Sequence, residues 1–436
     1  MAAYLSFWIS LLLTLLLPAT AEAQFDLDEP PFNYTETSDD NPVTQLVQQY
    51  KAGDVDLEYD RSTGYLRSIL KSLDVHESTQ ALVFSKTSLQ IRYISPRNPR
   101  AIYFNDDVYV GWVRGSEIME LSASDPRLGA AFYTVTMSRQ NAQIERAGYD
   151  CLGCHATTMT QGIPGHTVRS VFPSPGGSID LKRKSFVTDH TSPISERWGG
   201  WYVTGLHGDM THMGNAFLRG GQLDRKNSSN RNNLRDEFQT LGWLSSYSDI
   251  VALMVLEHQT QMHNTFTKAN FTVRLAQYDL KSESATDGES EAQAELQAIV
   301  TKAAKEVVDY MLFAGEAPLT SEVKGSIIFK GQFRRRGPDD SQGRSLREFD
   351  LRTRLFHYPC SYMIYSLAFD SMEETLRNEI YAQLWKVLSL SEQPPRFRHL
   401  DNETCAAIRE ILRDTKSELA KTWSEFHRAN PPEISR

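Results

Sequence analysis

The sequence predicts an α+β protein: a small β-sheet region, then a helical and loop core around residues 151–155, then a mainly α-helical C-terminal region. Three observations predict it. Short runs rich in β-branched and aromatic residues, split by turn residues, fill positions 81–135. Glycine and proline then cluster between Gly162 and Gly177. From Gly242 onward apolar residues recur at helical spacing.

Residues 1–23 read as a secretory signal: Leu5 to Leu17 is almost entirely apolar, Pro18 breaks the run, and Ala21-Glu22-Ala23 offers a small-x-small cleavage site. The run is shorter than the ~20 residues a membrane-spanning helix needs. No Lys or Arg precedes it, so an uncleaved N-terminal anchor is the alternative. Residues 24–45, acidic and poor in aliphatics, are expected as a disordered lead-in. Residues 46–137 form an α+β N-terminal region, with helical spacing over Gln45 to Tyr50 and Gly64 to Leu73. Strands are expected over Ala81 to Tyr93, Ala101 to Val113, Ile118 to Leu121 and Ala130 to Val135, the last two turned at Asp125-Pro126. Ile102, Phe104, Val108, Val110 and Trp112 are expected on one side of the second run. Ser138 to Asp150, free of proline, is expected as a helix opening the region 138–240. Trp198 to Gly205 reads as a short aromatic strand. The region 241–436 is expected to be mainly helical, with helices near 291–313, 361–390 and 402–424 and a polar stretch at Ser282 to Glu291.

The chemistry centres on Cys151-Leu152-Gly153-Cys154-His155. Residues three apart on a helix share a face, so both sulfurs reach the two vinyl groups of one porphyrin, and the next residue falls under the iron. Cys-x-x-Cys-His is the attachment pattern of a c-type haem, with His155 as proximal iron ligand. A dithiol redox pair or half of a zinc site is the competing reading; no βαβ context and no second Cys/His pair at short spacing accompanies it. Residues 138–240 are therefore expected to be the haem c-binding region, and one covalent haem is the expected cofactor.

The sixth iron position is left open. Leu206-His207-Gly208-Asp209-Met210-Thr211-His212-Met213-Gly214 gathers two His and two Met in one loop, with Met213 and His212 the leading ligands. Met ligation would give the higher potential. Weaker candidates are His166, for the haem pocket or a propionate, and His258 beside Glu257. Arg169 and Arg197 read as ordinary surface residues that could pair with propionates, and Trp198, Trp201 and Tyr202 as porphyrin walls or core. Cys360 and Cys405 make either a disulfide or two buried thiols. Lys182-Arg183-Lys184 and Arg334-Arg335-Arg336 read as solvated loops.

The formal net charge is −9, and Glu22 leaves with the signal, giving −8. That balance argues against nucleic acid and suits a basic redox partner. Beyond the motif, Val83 to Gln90, Pro99 to Val113, Gly162 to Pro173 and Arg197 to Asn215 resemble blocks of an uncharacterised family of secreted bacterial monohaem cytochrome c-like proteins. The resemblance implies haem binding, with a loop like His212-Met213-Gly214-Asn215 near the iron, and no defined substrate. The expected function is electron transfer through the covalent haem in the periplasm or outside the cell. The alternatives are a peroxidase-like oxidoreductase with an open distal site, in which His212, His258 or Glu257 acts as acid or base, and a sensor or structural use of the haem.

Overall fold

The computed structural model describes residues 25–283 and 289–429, and the architecture is α+β. The expected signal, residues 1–23, lies outside the described residues, as do residues 284–288 of the polar stretch. Helices α1 (Pro42–Ala52) and α2 (Leu66–Ser72) precede β1 (Ala81–Val83), β2 (Arg100–Phe104), β3 (Val108–Trp112), β4 (Ile118–Asp125), β5 (Gly129–Thr136) and β6 (Gln143–Ala147). The motif helix α3 (Tyr149–His155) follows, then the pair β7 (Arg169–Ser170) and β8 (Phe186–Val187), then β9 (Trp201–Tyr202), then the pair β10 (Phe217–Arg219) and β11 (Gln222–Asp224). The helical region comprises α4 (Ile250–Glu283), α5 (Glu289–Met311), α6 (Ile327–Arg335), α7 (Leu367–Asp370), α8 (Glu374–Leu388), α9 (Asn402–Thr415) and α10 (Ser417–Ala429).

A seven-stranded antiparallel sheet in the order β6-β5-β4-β3-β2-β1-β9 is the central layer. The two-residue period of a strand divides its side chains. Leu82, Tyr103, Val108, Val110, Trp112, Leu121 and Val135 pack with Val43 and Leu46 of α1 and Leu66, Ile69 and Leu70 of α2. Ala81, Val83, Phe104 and Tyr109 face the other way, into the core formed with α4 and the C-terminal helices.

Several expectations change. Ile102 and Phe104 do not share a face with Val108, Val110 and Trp112. The hairpin pairs Phe104 with Tyr109, an even position with an odd one, so the parity of the run inverts across Asn105–Asp107. The first strand stops at Val83, and residues 88–93 form turns closed by Ile91 N–H to Ser88 O and Tyr93 N–H to Gln90 O. Residues 143–147 are not helical. They are the edge strand β6, paired with β5 from Thr136↔Gln143 to Phe132↔Ala147, where an available sheet edge outweighs intrinsic propensity. The lead-in is ordered rather than disordered: Phe32 stacks on Phe271 at 4.4 Å, Tyr34 donates to Ala130 O, and Asn41 caps α1 while bonding Asp125. The stretch 361–390 is interrupted at Ser366 and Ser371, and 402–424 at Lys416. Arg334 and Arg335 lie in the last turn of α6, where cations suit the helix dipole, and Arg334 and Arg336 are ion-paired, so this cluster is not a solvated loop. Cys360 and Cys405 are separate buried thiols, not a disulfide.

Helix α4 holds these layers together. Free of Gly and Pro over 34 residues, it is buried on all sides from Ile250 to Thr260, apolar through Leu256 and polar from Glu257 to Thr260. Asp249 caps it, accepting from Val251 and Ala252 N–H. Polar groups on α4 need partners inside the core. His258 bonds His190 through Nδ1 (2.9 Å) and Ser361 Oγ through Nε2 (2.7 Å). Glu257 pairs with Arg197 at 3.3 Å, with both side chains at most 3% exposed. Arg197 is therefore not a surface residue. Its remaining N–H groups donate to the carbonyls of His190 and Ser192, so it staples the 190–197 turn to α4.

Burial pushes Glu257 up to about 7 in spite of Arg197. Arg197→Met removes the cation and leaves this carboxyl alone in the core. The expected loss of stability is about 3–5 kcal/mol at a pH of roughly 8. It should be smaller at a pH of roughly 5.5, below the folded value, where Glu257 takes up a proton and no buried charge remains. Urea unfolding at the two pH values measures this. Equal losses would mean that the unpaired carboxyl is not the cause.

Candidate functional site

Helix α3 leaves the edge strand β6 after Gly148 and presents the motif over one turn. Cys151 is half-buried and Cys154 exposed, and both thiols are free. Burial, with Glu120 and Asp150 nearby, pushes the Cys151 thiol up to about 11. An active redox thiol needs the opposite shift. Among the described residues no group of three or more His, Cys, Asp or Glu side chains stands together as a metal site.

His155 is held by its neighbour across the loop. Its Nδ1 lies 2.8 Å from Gly165 O, and its own carbonyl accepts from Gly165 N–H (2.8 Å) and Thr160 Oγ1 (3.2 Å). A carbonyl accepts only from a protonated nitrogen, so Nδ1 carries the hydrogen and Nε2 keeps its lone pair. Burial lowers the pKa of His155, which keeps the ring neutral near pH 7. A neutral imidazole whose Nδ1–H is anchored to a carbonyl and whose Nε2 is free is the form that binds iron. The Phe132 ring, 4.7 Å away, fixes the remaining freedom of the imidazole.

The acceptor is itself fixed from α4. Asn264 Oδ1 accepts from His166 N–H (2.9 Å) and its Nδ2 donates to His166 O (2.7 Å). Gly165 makes this approach possible: a Cβ there would lie 2.3 Å from Asn264 Oδ1. Gly111, buried in β3, leaves room for the Arg100 guanidinium to lie across the sheet and pair with Glu120 at 2.5 Å. Glu120 Oε1 also accepts from Leu89 N–H. Two free thiols one turn apart and an adjacent imidazole in the iron-binding tautomer fit a covalently held haem.

Of the other sequence candidates, His166 adjoins His155, sharing the Phe132 ring at 5.9 Å, and the rest lie elsewhere. His166 is buried against Tyr109 at 4.3 Å, with Nε2 2.9 Å from Ser122 Oγ. His258 is enclosed as described above, and Arg169 donates to Ser185 Oγ. Trp198 is fully buried in the left-handed region (φ 66°), and Trp201 Nε1 donates to Arg169 O. His212 and Met213 are also buried. Met213 Sδ accepts from Ser170 Oγ (3.7 Å), and the His212 ring meets His207 at 4.8 Å and Trp198 at 5.4 Å. The loop carrying them follows β9, one edge of the sheet, whereas α3 follows β6, the other edge. Among the described residues no hydrogen bond or ring contact joins His155 to His207, Met210, His212 or Met213.

Sequence reading missed Gly165, Asn264 and Phe132, the three residues that orient His155. Only the tight Gly162-Ile163-Pro164-Gly165 stretch hinted at the first. It also missed a buried network in which Tyr362 donates to Gln259 Oε1, Gln259 Nε2 donates to the Tyr109 hydroxyl, and that hydroxyl lies 2.9 Å from His263 Nδ1.

No protein-family model matches this chain, and no curated protein or solved structure compared with it is significantly similar.

Gly165→Ala is expected to cost about 1–3 kcal/mol, because the new methyl must displace Asn264. It should also loosen the His155 anchor. Chemical denaturation measures the first effect, and solvent exchange of the His155 Nδ1 proton by NMR the second. Slow exchange unchanged from the parent chain would mean that the carbonyl does not hold the ring.

Proposed function

We propose that this chain is a monohaem c-type cytochrome, with the haem attached through Cys151 and Cys154 and carried on His155, and that it transfers electrons. The observation that carries this reading is the Nδ1–H of His155 held on Gly165 O beside two free thiols one helical turn apart. A haem bound there supplies one-electron chemistry at its iron. The chain's part is to orient. Gly165 and Phe132 fix the direction of Nε2, and Asn264 fixes Gly165. The acidic balance of the chain favours a basic redox partner. The leader at residues 1–23 supports export to the periplasm or beyond, where such attachment occurs. Among the described residues no helix is long and apolar enough to cross a membrane.

A second reading is favoured by one observation. Met213 and His212, the leading candidates for the sixth position, are packed against Ser170, Trp198 and His207. An iron lacking either ligand would keep an open distal face, which suits an oxidoreductase acting on a small molecule such as a peroxide.

Expression with a haem c maturation system tests both. One covalent haem is expected on the denatured chain by mass and haem stain, and none on the Cys151→Ser, Cys154→Ser double variant. A parent chain without covalent haem, or a double variant that keeps it, would sink the proposal. In the matured protein, a low-spin spectrum indifferent to CO marks the ligated carrier. A high-spin spectrum that shifts with CO marks the open site.

A further inference from the structure

The loop 206–214 alternates between inside and outside. Leu206, Gly208, Asp209 and Thr211 are exposed, whereas His207, Met210, His212 and Met213 are buried. Every inward side chain is thus a metal-binding type. The two imidazoles, each at most 2% exposed, meet at a centroid distance of 4.8 Å and an interplanar angle of 66°. Neither ring nitrogen of His207 has a hydrogen-bond partner, and His212 has none beyond the Gly214 backbone. Buried polar atoms are almost always paired, and an imidazole with neither nitrogen satisfied, set against a second one, points to a guest between them. We propose that His207 and His212 bind Cu(I), with a thioether from Met210 or Met213 as third ligand, at a site separate from the haem.

The geometry suits a shared metal. At the usual ~2.0–2.1 Å metal–nitrogen distance, two imidazoles meeting at a roughly tetrahedral or trigonal ion have centroids about 5 Å apart. A linear pair would stand over ~6 Å apart on the same distances.

The charge around the loop selects the ion. No group of three His, Cys, Asp or Glu side chains gathers here among the described residues, and Asp209 points outward. Arg225 adds positive charge near His212. A divalent ion would stay uncompensated in this buried setting. A monovalent soft ion is satisfied by neutral imidazoles and thioethers, the donors that favour Cu(I).

The loop is preorganised without the ion. Asn230 accepts from His207 N–H and donates to Gly208 O, and Ser228 Oγ donates to Gly214 O. Leu206 and Lys324 exchange backbone hydrogen bonds. Gly214 is required beside the ring: a Cβ there would meet Val203 Cγ2 at 2.3 Å and His212 Nδ1 at 3.0 Å. Gly208, Asp209 and Thr211 form the exposed rim of the loop.

The test is anaerobic titration of Cu(I) against bicinchoninate, on the haem-matured chain and on the Cys151→Ser, Cys154→Ser variant. In both, the motif thiols are removed as competing ligands. One equivalent of Cu(I) is expected in each, weakened more than ~100-fold by His207→Leu or His212→Leu. X-ray absorption should show two nitrogen neighbours and one sulfur. The near-isosteric Met210→Leu, Met213→Leu double variant should lose the sulfur and keep the nitrogens, which also excludes the buried thiols of Cys360 and Cys405. Thermal melts confirm that each variant is folded, and His207→Gln replaces any leucine variant that is not. Absence of a tight equivalent overturns the proposal, as do binding indifferent to His207 and His212 and a preference for Zn(II) with no sulfur neighbour. Because the serine variant cannot attach haem, the copper result stands or falls apart from the haem reading.

Discussion

Burial of helix α4 is the constraint on which the rest of the structure depends. A helix enclosed on every side cannot leave its polar side chains to water, so each must be answered by another part of the chain. Asp249 answers the backbone at its start, where Ile250 N–H also donates to Thr204 O. Glu257 is met by Arg197, His258 by His190 and Ser361, Gln259 by Tyr109 and Tyr362, and Asn264 by the His166 peptide. These partners come from the strands, the Gly/Pro-rich wrap and the C-terminal region. One helix thereby fixes the relative placement of elements far apart in sequence.

Both candidate sites depend on this arrangement. Asn264 locks the peptide next to Gly165, and Gly165 locks His155. The bond between Thr204 and Ile250 anchors the base of the 206–214 loop to the same helix. The sheet keeps the two sites distinct, because α3 follows one edge strand and the His/Met loop follows the other. Residues that share a chemistry in sequence, His155 with His212 and Met213, are consequently packed into separate surroundings. The buried polar pairs also differ in kind. Arg197 holds Oε2 of Glu257, whereas neither nitrogen of His207 has a partner within the chain.

Much of the fold was legible because local patterns and tertiary demands agree. Alternation along Ile118 to Val135 and the Asp125-Pro126 turn give the β4–β5 hairpin, and the unbroken run from Ile250 gives α4. Where they disagree, pairing or packing wins. Residues 143–147 have no residue that forbids a helix, yet a free sheet edge takes them as a strand. Arg197 has the composition of a surface residue and is drawn inside by a carboxylate 60 positions away. Phe32 and Tyr34 sit in an acidic, proline-bearing stretch and are nevertheless buried, because Phe271 and Ala130 offer them surface.

The sequence by itself determined the chemistry available at the motif: two thiols and an imidazole at the spacing of one helical turn, with the α+β order of elements around them. Only the tertiary structure decided how those groups are presented. The tautomer of His155 depends on a carbonyl ten residues away, whose position depends in turn on a helix a hundred residues further along. The pairing of His207 with His212, and the absence of a partner for either nitrogen of His207, depend on how a loop folds inward between Trp198 and Asn230. Spacing within one turn is a local property set by backbone geometry. Which buried nitrogen finds a partner is a property of the whole packed interior.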